Sequence, residues 1–78
     1  MKMATTITGD GNYLVVTTDS IPLISIPKGK VLTRVDGNYL EIDHDGSYST
    51  RLLYSDVSSP STASAELLRI AVKNILNT

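Results

Sequence analysis

The stretch Lys30-Val31-Leu32-Thr33-Arg34-Val35-Asp36-Gly37-Asn38-Tyr39-Leu40-Glu41-Ile42-Asp43 decides the fold of this chain. Apolar and polar residues alternate on both sides of an Asp-Gly pair, the pattern of a half-buried hairpin. With Asp36-Gly37 as a two-residue turn, Val35 faces Asn38, Thr33 faces Leu40 and Val31 faces Ile42. The other face then sets Arg34 beside Tyr39, Leu32 beside Glu41 and Lys30 beside Asp43. One face is apolar and the other charge-paired, as an antiparallel sheet wetted on one side requires.

Moving outward, the same turn grammar returns. Asp10-Gly11-Asn12-Tyr13-Leu14-Val15-Val16 resembles Asp36-Gly37-Asn38-Tyr39-Leu40-Glu41-Ile42, and Asp45-Gly46-Ser47-Tyr48 echoes both. Two or three such units are reused hairpins and fall short of a solenoid. About the Asp10-Gly11 turn, Ile7 and Thr5 pair with Leu14 and Val16. For the hairpin after Ile42 a two-residue Asp45-Gly46 turn is one choice. The preferred choice is a three-residue loop, His44-Asp45-Gly46, with Gly46 in a G1 bulge. It sets Ile42 against Tyr48 and Leu40 against Thr50, giving an inner face of Val31, Val35, Leu40, Ile42, Tyr48 and Leu52. Ile21-Pro22-Leu23-Ile24-Ser25-Ile26-Pro27 carries two prolines that cannot donate to a ladder, so it reads as an edge strand or extended connector.

At about Ser58 the composition changes. Ser59 as N-cap with Pro60 in the first turn, or Ser61 as a later cap, opens a helix over residues 59–77. Leu67, Leu68, Ala71, Val72 and Ile75 share one helical face, and Ile70 and Leu76 fall on its flanks. The expected fold is therefore α+β in a single domain spanning residues 1–78. A small antiparallel β-meander of about four or five strands occupies residues 1–58, and one C-terminal helix packs on one sheet face.

Size and charge narrow the function. The chain has 78 residues, a net charge of −1, one His and no Cys, Trp or Phe. A domain this short buries only about 60–65% of its unfolded surface, and no disulfide or cysteine-held metal reinforces it. Contact with other chains is one route to stability, and the near-neutral charge permits it. No basic stripe marks a nucleic-acid surface. Met1-Lys2-Met3-Ala4 is followed by no apolar segment of a secretory signal, and the apolar runs are too short to span a bilayer.

Chemistry has little to work with. His44 sits in Asp43-His44-Asp45-Gly46 at a hairpin tip, and no nucleophile elbow accompanies it. Asp43 and Asp45, with Glu41 near, resemble the opening of a calcium loop, but Tyr54 stands where the closing carboxylate belongs. Gly9-Asp10-Gly11 and Lys28-Gly29-Lys30 lack phosphate-loop frames. The reading is non-enzymatic, with no cofactor and no metal. Arg34, Tyr39 and Arg51 would share the outer sheet face as a sparse stacking platform for nucleic acid, with Glu41 and Asp43 cancelling its field. Leu67, Ile70 and Leu76 on the helix and Ile21, Ile24 and Ile26 on the edge segment are the candidate interface residues.

Finally, Ile26-Pro27-Lys28-Gly29-Lys30-Val31, Tyr54-Ser55-Asp56-Val57-Ser58-Ser59-Pro60 and Thr62-Ala63-Ser64-Ala65-Glu66-Leu67-Leu68 resemble small structural and accessory proteins of tailed bacteriophages. The likeness lies in a meander, a D-V-x-x-P joint and an S-A-E-x-L helix, over roughly residues 26–76. It implies a virion-associated component, in the virion or the host cytoplasm, that contacts further copies of itself or other virion proteins. The alternative is a small accessory factor binding a host protein, a nucleotide or nucleic acid.

Overall fold

Each Asp-Gly-Asn-Tyr unit closes a hairpin in the same way. In the computed structural model, which describes residues 4–78, strands β1 (Thr5–Asp10) and β2 (Tyr13–Thr18) pair with Asp10 opposite Tyr13. Strands β4 (Val31–Asp36) and β5 (Tyr39–His44) pair with Asp36 opposite Tyr39. The two turn positions are thus Gly-Asn, not Asp-Gly, with Gly11 at φ +60° and Gly37 at φ +61°. Glycine in the first central position, followed by a residue with negative φ, is the type II′ arrangement that matches strand twist. Both expected registers therefore shift by two residues: Ile7 faces Val16, and Thr33 faces Ile42. A shift of two leaves every side chain on the face assigned to it, since the strand period is two.

The hairpin between β5 and β6 (Ser47–Leu53) departs further from expectation. Its turn is Asp45-Gly46, with φ of +50° and +82°, and His44 faces Ser47. Two successive positive φ values define a type I′ turn, so the three-residue loop is not formed. A bulge follows, in which the pairing steps from Asp43–Tyr48 to Ile42–Thr50 and leaves Ser49 as the extra residue. The bulge brings Leu52 opposite Leu40 on the inner face, while the two-residue turn sets Tyr48 on the outer face beside Asp43, where it is exposed.

The α+β class, the antiparallel meander and the C-terminal helix are as expected, but the strands among the described residues number seven and divide between two sheets. Strand β3 (Ile21–Pro27) is the edge of the first sheet, whose order is β3-β2-β1-β7. The second sheet, β4-β5-β6, lies between β3 and β7 in the sequence. After a 3₁₀ turn at Tyr54–Asp56 the chain returns as β7 (Val57–Ser59), parallel to β1. Val57 is buried opposite Thr5, and the Ser58 hydroxyl donates to the Thr5 carbonyl at 3.2 Å. Residues 57–59 thus belong to a sheet, contrary to a helix starting at Ser59.

Helix α1 spans Ala65–Leu76, and its N-cap is Ser64, whose Oγ accepts the Leu67 amide at 3.2 Å. Neither Ser59 nor Ser61 holds that place. Starting later also redraws the inward face: Ala65, Leu68 and Val72 are buried, and Ile75 and Leu76 pack against the core. Leu67, expected to face the sheet, points outward, and Leu76, expected on a flank, points in. The helix rests on β4, β5 and β1. Ile7, Leu14, Val16, Leu40, Ile42, Val57, Leu68 and Val72 form one core shared by both sheets and the helix. Each such side chain contributes about 1.5–3 kcal/mol by leaving water.

Gly9 lets the helix approach the first sheet. A Cβ placed there would lie 3.1 Å from Ile75 Cγ2 and 3.1 Å from Lys28 Nζ. No described helix is long and apolar enough to cross a membrane. The leader reading begins on residues 1–3, which lie outside the described residues.

Candidate functional site

Register alone builds the outer face of the second sheet as a grid of three rows. Leu32, Asp43 and Tyr48 form one row, Arg34, Glu41 and Arg51 the next, and Asp36, Tyr39 and Leu53 the third. Arg34, Tyr39 and Arg51 therefore do share one face. Their partners decide what that face can do. Arg34 Nη2 donates to Glu41 Oε1 at 2.7 Å, and its Nε lies 4.0 Å from Asp43 Oδ2. Arg51 Nη2 donates to Asp36 Oδ2 at 3.0 Å, its Nε is 3.6 Å from Glu41 Oε2, and its guanidinium carbon sits 4.0 Å from the Tyr39 ring centroid.

Glu41 thus bridges two arginines, and three carboxylates enclose two guanidiniums. A phosphate backbone approaching this face would have to displace those carboxylates, so the electrostatic gain that drives nucleic-acid binding is largely spent within the sheet. The platform is geometrically present and electrostatically closed. Lys30, expected beside Asp43, instead lies 3.7 Å from Asp45, the first residue of the next turn.

The acidic hairpin tip does not converge. Glu41 and Asp43 point to the outer face toward Arg34, Asp45 reaches toward Lys30, and His44 alternates to the inner row opposite Val31. Among the described residues no group of three or more His, Cys, Asp or Glu gathers at metal-binding spacing.

The apolar candidates divide into two sets. Ile24, Ile26 and Leu76 pack against the core, so they are structural. Ile21 stays 65% exposed at the start of edge strand β3, while Leu67 and Ile70 stay 48% and 43% exposed, one turn apart on α1. Sequence reasoning missed further exposed apolar residues, Val35 of the expected inner face among them. Leu23 is the extra residue where β3 bulges against β2 between Val16 and Thr17, and Leu32 is 66% exposed on edge strand β4. The Leu32 signal was legible, because it alternates onto the polar face. The bulge that turns Leu23 outward was not.

Among the described residues, displaced titration is confined to one pair on the helix. Arg69 hydrogen-bonds Glu66 through Nε at 3.1 Å, which holds the Glu66 carboxyl below its usual range and raises Arg69. Both groups are exposed, and their role is helix support rather than chemistry. No protein-family model, no curated protein and no solved structure matches this chain.

Proposed function

We propose that this is a non-enzymatic assembly protein that works through its surface, joining further copies of itself or other components of a virion. The observation that carries the reading is the exposure of large aliphatic side chains on regular elements. Leu67 and Ile70 line the outer flank of α1, and Ile21 and Leu23 stand on edge strand β3. A chain of this size has few apolar residues to spare, and leaving several on helices and edges is what an interface requires. The phage-like joint and helix motifs of residues 56–68 favour a virion component over a free enzyme.

The accessory-factor alternative rests on the Arg34, Tyr39 and Arg51 face. Pairing of both arginines with carboxylates weakens that reading. The test is size-exclusion chromatography with light scattering on the purified chain. A mass above the 8.4 kDa monomer at tens of micromolar is expected. A chain that stays monomeric at high micromolar concentration and melts cooperatively on its own overturns the reading.

A further inference from the structure

Among the described residues four strands lie at the edges of the two sheets, and three of them carry devices against pairing. On β3, Pro22 and Pro27 have no N–H to give and the strand bulges at Leu23. Strand β7 is three residues long, and β6 is bulged at Ser49. Strand β4 is different: it has six residues, no proline and an unbroken register against β5. Its hairpin also fixes which backbone groups are free. In a two-residue hairpin the closing pair, here Asp36 and Tyr39, exchanges both hydrogen bonds, and bonding then recurs at every second residue. Arg34 and Leu32 therefore bond to β5, and the N–H and C=O groups of Val31, Thr33 and Val35 face outward.

We infer that β4 pairs antiparallel with β4 of a second copy about a two-fold axis at Thr33, joining two three-stranded sheets into one of six. The inference rests on the assembly reading above and names its partner and register. The segment Lys30-Val31-Leu32-Thr33-Arg34-Val35-Asp36 is self-complementary about Thr33. Val31 falls opposite Val35 and Leu32 opposite Arg34, whose aliphatic stem can cover it, while Lys30, just before the strand at φ +64°, comes beside the Asp36 end of the second copy. Both ends thus gain an opposite-charge pair. Val35 lies on the core-facing side yet is 37% exposed, and Leu32 is bare on the other side. The pairing covers both.

Neighbouring registers fail on charge. Centring the axis on Arg34 sets Arg34 directly against itself, and centring it on Leu32 brings Arg34 to the Lys30 end of the second copy, so each gathers like charges. Among the described residues of one chain, Lys30 and Asp36 meet surface partners, Asp45 at 3.7 Å and Arg51 at 3.0 Å. Such exposed pairs are weak, and Asp36 keeps Oδ1 free while Oδ2 serves Arg51.

The experiment combines light scattering with two kinds of variant. Thr33→Pro removes an N–H that β5 does not use, so circular dichroism should keep its β signal while the mass falls to that of a monomer. The native chain has no cysteine, so Thr33→Cys introduces a single thiol. Directly opposed residues of a hydrogen-bonded antiparallel pair have Cα atoms about 5.5 Å apart, within disulfide range. Oxidised Thr33→Cys should run as a covalent dimer on non-reducing gels, and Arg34→Cys should crosslink far less. If Thr33→Pro does not fold, the two cysteine variants decide. An oligomer that crosslinks no better through Thr33→Cys than through Arg34→Cys, or keeps its mass in a folded Thr33→Pro variant, overturns the β4 interface and leaves the assembly reading standing. A native chain that is monomeric at high micromolar concentration overturns both.

Discussion

The guanidinium of Arg51 lies over the ring of Tyr39, 4.0 Å from its centroid, on the outer face of the second sheet. Two neighbouring strands supply the pair, and Asp36 and Glu41 hold the arginine in place from the side. A flat cation over an aromatic face at an exposed site contributes about 0.5–1 kcal/mol. Tyr39→Ala should therefore lower unfolding free energy in urea by at least that amount. Arg51→Lys should recover only part of the effect of Arg51→Ala, because an ammonium cannot stack and fork at once.

Neutralisation of the arginines has its own consequence. A single-stranded oligonucleotide should leave the melting temperature of the native chain unchanged at moderate salt. Glu41→Gln frees both guanidiniums from their shared carboxylate and should add weak binding that disappears as salt rises. A native chain that is stabilised by the oligonucleotide, and loses this in Arg34→Ala/Arg51→Ala, would favour the nucleic-acid alternative.

Close approach at Gly9 makes the helix seat sensitive to one side chain. Gly9→Val brings branched carbons into the space of Ile75 Cγ2 and the Lys28 stem, and should destabilise by about 1–3 kcal/mol. Combining it with Ile75→Ala should cost less than the two single changes summed, since the double variant removes the clash. Additive losses in a double-mutant cycle would mean that the two residues do not meet.

Helix capping separates three serines. Ser64→Ala removes the acceptor of the Leu67 amide and should cost about 1 kcal/mol, while Ser59→Ala and Ser61→Ala should change stability by a few tenths. Guanidinium titrations of the three variants provide the comparison.

The Glu66–Arg69 pair predicts a direction with pH. A carboxyl held below its usual range in the folded state stabilises the fold above the unfolded pKa, and that support fades as pH falls through the folded pKa. Glu66→Gln should therefore flatten the acid limb of thermal stability slightly. Both groups are exposed, so the change should be small and should shrink further in high salt.

Local chemistry carries most of the architecture. The alternation in Val31–Asp36 and Tyr39–His44 and the glycines of the turns determine that hairpins form and which side chains face the core. Even the misplaced Asp-Gly turns shifted each register by two and left the faces intact. The helix was legible from its spacing, although its start was not. Ser59, Ser61 and Ser64 are all competent caps, and burial of Val57 against Thr5 commits residues 57–59 to a sheet and delays the helix to Ala65.

What only the tertiary structure decided lies in non-local contacts. The parallel return of β7 onto β1, the split into two sheets and the bulges that set Leu52 opposite Leu40 and expose Leu23 are decided by pairing between strands. The same holds for the outer face. Its charged residues were readable one by one, but Glu41 between Arg34 and Arg51 became a bridge only once three strands were in register. Alternation assigns a residue to a side of a strand. Which strand lies beside it, and whether its charge is already answered there, is set by how the sheets close around the core.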